Sequence, residues 1–137
     1  AIAPVPPKPP IGVIAPTLVR TACPGFGCVY SVRNTYILFR EDMTASKFDE
    51  NRPLKSHPVV VVHERANWIN IRAVSSKPNH RTPRNVHIPE NTIPGYVNES
   101  SIVARLPLFV LRGMLLMHEH LVDLNDDLLI ELREKLA

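Results

Sequence analysis

Apolar residues in the middle of the chain form two adjacent runs. The first is the four consecutive valines at 59–62, directly after Pro58. β-Branched side chains pack well in extended strands, and a run that is apolar on both faces predicts a strand buried on both sides. The second run, residues 68–74, follows a short polar gap and alternates, with Ile69 and Ile71 on one face and Arg72 on the other. Together they predict a central hairpin.

Shorter segments with strand character flank this hairpin. Residues 29–39 predict one bent strand or a hairpin. Residues 96–98 predict a strand fragment, and residues 108–117 predict a buried segment that is compatible with a helix. Two further short strands are predicted at residues 85–89 and 101–106. The polar residues 40–56 have no clear period and predict a long loop, either functional or merely connecting.

The end of the chain has a helical pattern. Leucines recur at three- and four-residue spacing after Asn125 or Asp123, either of which can cap a helix, and acids fill the first turn. Several short strands followed by a helix predict a mainly β fold, a small barrel closed by a C-terminal helix.

The distribution of prolines distinguishes two parts of the chain. Five of the 14 prolines lie in the first ten residues, which favours an extended polyproline II arm over residues 1–16. Residues 17–137 are long enough for one core, so we predict a single barrel domain there.

Positive charge is concentrated in the central strands and their loops. The formal net charge is +3, yet residues 47–84 carry eight lysines or arginines against three acids. This distribution is typical of a surface for an anionic partner, although an uneven solvated surface has the same pattern. No apolar stretch is long enough to cross a membrane, and no membrane partner is expected.

The basic segment also contains the best candidate site. His57 precedes the valine strand, and Ser75 and Ser76 end the next one. An antiparallel hairpin brings the start of its first strand beside the end of its second. The sequence therefore predicts an anion-binding site at this end of the hairpin.

The predicted elements follow a characteristic order: a polar loop, a basic residue plus proline, an apolar strand, a second strand ending in a hydroxyl residue, and a capped final helix. Over roughly residues 26–137 this order resembles the PemK/MazF-like toxins. The resemblance implies an SH3-like barrel and metal-independent cleavage of RNA. The family has Arg-Pro where this chain has His57-Pro58, so Arg52 or Arg72 is an alternative source of the arginine.

The predicted function is that of a toxin-like endoribonuclease acting on single-stranded or ribosomal RNA through the 2′-hydroxyl. Such cleavage needs an acid, a base and positive charge on the phosphate. His57, Ser75 and Arg72 are the predicted catalytic residues, and Glu64 and His87 are reserves. The predicted substrate-binding residues are Arg52, Lys55, Ser76, Lys77 and Arg81. The expected partner is RNA, homodimerisation stays open, and no cofactor is expected.

Metal binding is not predicted from the sequence. His118 and His120 would share one face of a strand, but no third ligand is evident. Cys23 and Cys28 can form a small-loop disulfide or remain thiols; two cysteines are too few for a zinc site, although histidine could complete one.

A rival function is a non-enzymatic binding module that uses the same barrel for a protein or carbohydrate partner. The chain begins Ala-Ile-Ala-Pro, which is compatible with a processed N-terminus and favours a secreted protein over a cytoplasmic one. The sequon at Asn98 would matter only in a secreted protein.

Overall fold

A computed structural model of the chain describes residues 25–39 and 51–137. In chain order its elements are β1 (Cys28–Arg33), β2 (Ser56–Glu64), β3 (Trp68–Ser75), β4 (Val86–Ile88), β5 (Ser100–Ile102), β6 (Leu108–Leu111), α1 (Arg112–Leu116), β7 (Glu119–Asp123) and α2 (Asp126–Leu136). The predicted proline arm, Cys23 and most of the predicted 40–56 loop lie outside the described residues.

The strands form one antiparallel sheet in the order β4-β5-β3-β2-β1-β7. β3 is its centre: β2 occupies one edge of β3, while β6 and then β5 share the other. An isolated bridge joins Leu38 to Phe109 of β6, with both N–O distances at 2.8 Å. Because Leu38 follows β1 closely in the chain, this bridge curls the sheet into a half-barrel. The predicted mainly β small barrel with a C-terminal helix is confirmed.

Both faces of the central strands are covered. Val59, Val61 and Ile71 belong to an inner core with Leu108, Val110 and Leu115, and Val60 belongs to an outer core beneath α2. The valines at 59–61 are fully buried, as the predicted two-sided strand requires. The alternation in β3 is also confirmed, since Ile69, Ile71 and Ala73 face the inner core and Val74 the outer.

Helix α2 closes the outer core. The Asn125 side chain accepts a hydrogen bond from the Leu128 N–H at 3.0 Å, and two aspartates follow in the first turn. These contacts satisfy an otherwise unpaired backbone donor and place negative charge at the positive end of the helix. Leu128 and Leu132 are buried. The predicted terminal helix is confirmed, with Asn125 as its cap.

Residues 29–39 form neither one bent strand nor a hairpin. β1 ends in a short 3₁₀ turn, Asn34–Tyr36, after which the chain pairs with β6 at Leu38. Asn34 is fully buried and fixes the turn: its backbone N–H donates to the carbonyl of Lys55 at 2.9 Å and its side chain donates to that of Arg52 at 3.0 Å. These long-range bonds leave no trace in the hydrophobic pattern.

Three other segments also differ in detail from prediction. The strand predicted at 101–106 is β5, which ends at Ile102, and the segment 108–117 divides into β6 and the short helix α1. The predicted 96–98 fragment makes only an isolated bridge, from Tyr96 to Ile93. Within the described part of the chain, neither helix is long and apolar enough to cross a membrane.

Candidate functional site

A cavity of about 690 Å³ opens where β2 begins and β3 ends. It is lined by Arg52, Lys55, Ser56, His57, Pro58, Ala73, Val74, Ser75, Ser76, Lys77, His80, Tyr96, Ser100, Val103 and Leu106. The register of the hairpin explains its place, because Val59 lies opposite Ala73 and the two strand ends therefore meet. The predicted end of the hairpin is thus a real concave surface.

A serine–histidine pair lies in this cavity. Ser75 Oγ is 2.6 Å from His80 Nδ1, and the same oxygen accepts a hydrogen bond from the Lys77 backbone N–H at 3.2 Å. The proton between Ser75 and His80 can belong to either group, depending on the imidazole tautomer. In both cases Nδ1 is engaged, which leaves Nε2 as the ring nitrogen for other partners.

The polypeptide around His80 is held in place by local structure. Pro78 begins a 3₁₀ turn, Pro78–His80, that folds the chain back towards the end of β3. The Asn85 side chain donates to the carbonyl of His80 at 2.8 Å and accepts from the backbone N–H of Ala104 at 3.2 Å. The imidazole therefore stands on a turn that is anchored to the segment after β5.

His57 lines the same cavity from the other strand and is half-buried. The site consequently contains two imidazoles, one at the start of β2 and one just after β3. Neutral imidazole accepts a proton and protonated imidazole donates one, so such a pair can supply both a proton acceptor and a proton donor.

The cavity is electropositive. Arg52, Lys55 and Lys77 line it and are exposed, and none of its lining residues in the described parts of the chain is an aspartate or glutamate. Concave surfaces of one charge sign concentrate the field and attract oppositely charged ligands. An anionic ligand fits this arrangement.

Six of the eight predicted site residues line the cavity: His57, Ser75, Arg52, Lys55, Ser76 and Lys77. The two remaining residues, both arginines, do not. The Arg72 guanidinium donates from Nε to the carbonyl of Ala104 at 2.7 Å and from Nη1 to that of Ile71 at 3.0 Å. Burial lowers the pKa of Arg72 below its ordinary value through desolvation. Its contacts are those of a structural residue.

Arg81 lies outside the cavity in an ion pair with Glu99, 3.3 Å between Nη1 and Oε1. The two reserve groups are also engaged elsewhere. His87 Nε2 is 3.5 Å from the Glu99 carboxylate, and Glu64 pairs with Arg112. None of these side chains contributes to the cavity lining.

His80 and Tyr96 are lining residues that the sequence did not single out. A signal for His80 was present, since a proline two residues before it can begin a helical turn that brings it back to the strand end. Tyr96 had no comparable signal, because its position depends on the loop between β4 and β5.

A cluster of side chains that could together hold a metal ion lies outside the cavity. The cluster of three such side chains that the described residues contain is Cys28, His120 and Asp123, at the pairing of β1 with β7. None of them lines the cavity.

Comparison with known proteins assigns no family: the chain matches no protein-family model, and no curated protein matches it.

Proposed function

We propose that the protein is a metal-independent endoribonuclease whose active site is the cavity between the start of β2 and the end of β3. One observation carries the proposal: two histidines share a cavity with three cationic side chains, and no carboxylate is among its described lining residues. RNA supplies both a phosphate for the cations and a proton to transfer. The resemblance to PemK/MazF-like toxins supports the same reaction.

In the proposed reaction one imidazole removes the proton of a ribose 2′-hydroxyl. The 2′-oxygen attacks the adjacent phosphorus, the bond from phosphorus to the 5′-oxygen breaks, and the second imidazole gives its proton to that oxygen. The products are a 2′,3′-cyclic phosphate and a 5′-hydroxyl end. His57 and His80 are the proposed acid–base pair, and positive charge from Lys55 and Lys77 stabilises the charge that develops on the phosphate.

Ser75 has a proposed positioning role. Its hydrogen bond with Nδ1 orients the His80 ring and leaves Nε2 for the substrate. Replacing Ser75 by alanine would leave the imidazole present but less well oriented. We therefore expect a smaller loss of rate from Ser75→Ala than from His80→Ala.

The test is cleavage of a single-stranded RNA by the full chain in EDTA. We expect His57→Ala and His80→Ala each to lower the rate by about 10²–10⁴-fold, the usual contribution of a general acid or base. His87→Ala is the matched control, because His87 is an exposed histidine outside the cavity; it should cleave like wild type. The matching 2′-deoxy strand should resist cleavage, and the RNA products should carry cyclic phosphate ends.

The rate should also depend on pH as a bell-shaped curve, since one histidine must be neutral and the other protonated. Binding of RNA without any product, or cleavage that survives both histidine substitutions, would contradict the proposal. Absence of cleavage under every condition is what the rival function, a module that binds a protein or carbohydrate partner on the same barrel, predicts.

A further inference from the structure

A second cluster of chemically reactive side chains lies where β1 pairs with β7. One ligand atom each from Cys28, His120 and Asp123 lies within 4.8 Å of the other two. None of the three residues lines the cavity, and Val32, four residues after Cys28, is the residue of β1 that lies opposite His57. The cluster is therefore separate from the proposed ribonuclease site.

An irregularity in the strand pairing creates the cluster. Cys28 lies opposite Asp123 and Tyr30 lies opposite His120, so three residues of β1 correspond to four of β7 and Leu121 is the extra residue. Side chains alternate between faces along a regular strand, and residues three apart would point to opposite sides. The bulge reverses this alternation. His120 and Asp123 consequently point to the same face as Cys28.

The cluster lies between the inner core and solvent. Cys28 is half-buried against the inner core, and the buried Tyr30 ring meets the His120 ring edge-on at 5.3 Å between centroids. The His120 side chain is 17% exposed and that of Asp123 is 40% exposed. The core thus fixes the sulfur and the imidazole, while the carboxylate side is open to solvent.

We propose that Cys28, His120 and Asp123 bind a divalent transition-metal ion of the Zn²⁺ class. Sulfur, imidazole nitrogen and carboxylate oxygen are zinc ligands, and three protein ligands leave one tetrahedral position for water. A soft thiolate disfavours Mg²⁺ and Ca²⁺, which take oxygen ligands. Thiolate and carboxylate together also balance the charge of the ion.

His120 and Asp123 already hold each other in a geometry that a metal ion can use. His120 Nε2 is 2.8 Å from Asp123 Oδ1, so one proton lies between the two groups. A metal ion would replace that proton and take one bond from each atom. Ligand deprotonation of this kind accompanies metal binding in proteins generally.

Titration of the reduced full-length chain with Co²⁺ tests the proposal. Thiolate coordination gives a sulfur-to-cobalt charge-transfer absorption, and tetrahedral coordination gives intense visible bands. We expect both to saturate at one ion per chain and to disappear when Zn²⁺ is added, because Zn²⁺ binds such sites more tightly than Co²⁺. Absence of the charge-transfer band would overturn the proposal.

Three variants assign the ligands. Cys28→Ser should abolish the charge-transfer band, and His120→Asn and Asp123→Asn should each weaken Co²⁺ binding at least tenfold. His118→Asn is the matched control: its ring bonds to the Met114 carbonyl and it is not in the cluster. Because Asp123 is on the open side, its variant should stay folded even if the buried substitutions do not, and unchanged binding in a folded Asp123→Asn would contradict the site.

Cys23 provides a further discriminating variant. It lies five residues before Cys28, and a disulfide between them would remove the thiolate. If Cys23→Ser abolishes the cobalt spectrum while Cys28→Ser leaves it intact, the proposed ligand set is wrong. A spectrum retained in Cys23→Ser and lost in Cys28→Ser supports it.

Discussion

At the residue scale, two side-chain contacts hold irregular segments of the chain against β3: the hydrogen bond between Ser75 and His80, and the hydrogen bonds of Arg72. Each fixes a polar group at a point where a strand meets an irregular segment. Ser75 orients an imidazole at the end of β3, whereas Arg72 ties β3 to the chain after β5 through the Ala104 carbonyl. Hydrogen bonds from charged donors are stronger than neutral ones, so the Arg72 contact contributes more to stability.

Arg72→Met removes both donors and keeps most of the apolar stem. We expect the free energy of unfolding, measured in urea, to fall by about 1–3 kcal/mol, because two part-buried carbonyls each lose a charged hydrogen-bond donor. RNA cleavage by the folded variant should remain near wild type.

Arg105→Met is the matched control, since Arg105 is an exposed arginine next to Ala104, in the segment after β5 that Arg72 contacts. It should change stability by less than about 0.5 kcal/mol. A large loss of cleavage in Arg72→Met at unchanged stability would instead support the catalytic role predicted from the sequence.

At the element scale, the turn before β1 packs closely against the Leu129 side chain of α2. Gly27 has a φ of +87°, and a Cβ at this position would collide with Cδ2 of Leu129. The Gly27 N–H donates to the Val61 carbonyl at 2.8 Å, and its own carbonyl accepts from Leu124 N–H at 3.0 Å. One residue thus joins the sheet to the chain entering the terminal helix.

Gly27→Ala should therefore destabilise the protein for two reasons, a left-handed backbone and a steric collision. Gly95→Ala measures the backbone effect alone. Gly95 has a φ of +85°, but no atom lies within 4 Å of the point that its Cβ would occupy. We expect about 1–2 kcal/mol of destabilisation for Gly95→Ala and about 1–3 kcal/mol more for Gly27→Ala. Equal urea midpoints for the two variants would show that the Leu129 side chain moves aside without cost.

The elements that sequence reasoning placed well are those with strong local signals. The valine strand, the alternating β3 and the capped helix α2 each depend on residues within the segment itself. The turn after β1 was missed because buried Asn34 is held by the carbonyls of Arg52 and Lys55. Contacts between residues so far apart in the chain do not appear in the hydrophobic pattern of either segment. The site divides similarly: the meeting of His57 and Ser75 follows from hairpin geometry, while the metal-ligating cluster depends on a bulge and on pairing across most of the chain.

At the scale of the whole molecule, charge is unevenly divided. The described cations of the cavity lie at one end of the β2–β3 hairpin, and α2 begins with two aspartates and has a basic last turn. The formal net charge is only +3, yet the positive electrostatic potential is concentrated at the cavity. Nucleic acid would sense that field at the cavity more than over the molecule as a whole.

Binding of a 2′-deoxy single strand should weaken as salt increases. With three cations contacting phosphates, we expect the logarithm of the binding constant to fall with the logarithm of salt concentration with a slope of about −2. Lys77→Gln should reduce the size of that slope by about 0.7. Lys135→Gln, at the far end of α2, should leave it unchanged, and equal effects of both substitutions would argue against binding in the cavity.

The pairing of β1 with β7 also has a consequence for biosynthesis. Cys28 and its opposite residue Asp123 are separated by most of the described chain. A ribosome must therefore make the residues through β7 before β1 can acquire its second neighbour, and α2 must follow before the outer core is covered. During translation the hairpin of β2 and β3 can assemble early, but the half-barrel is completed only when nearly all of these residues have left the exit tunnel.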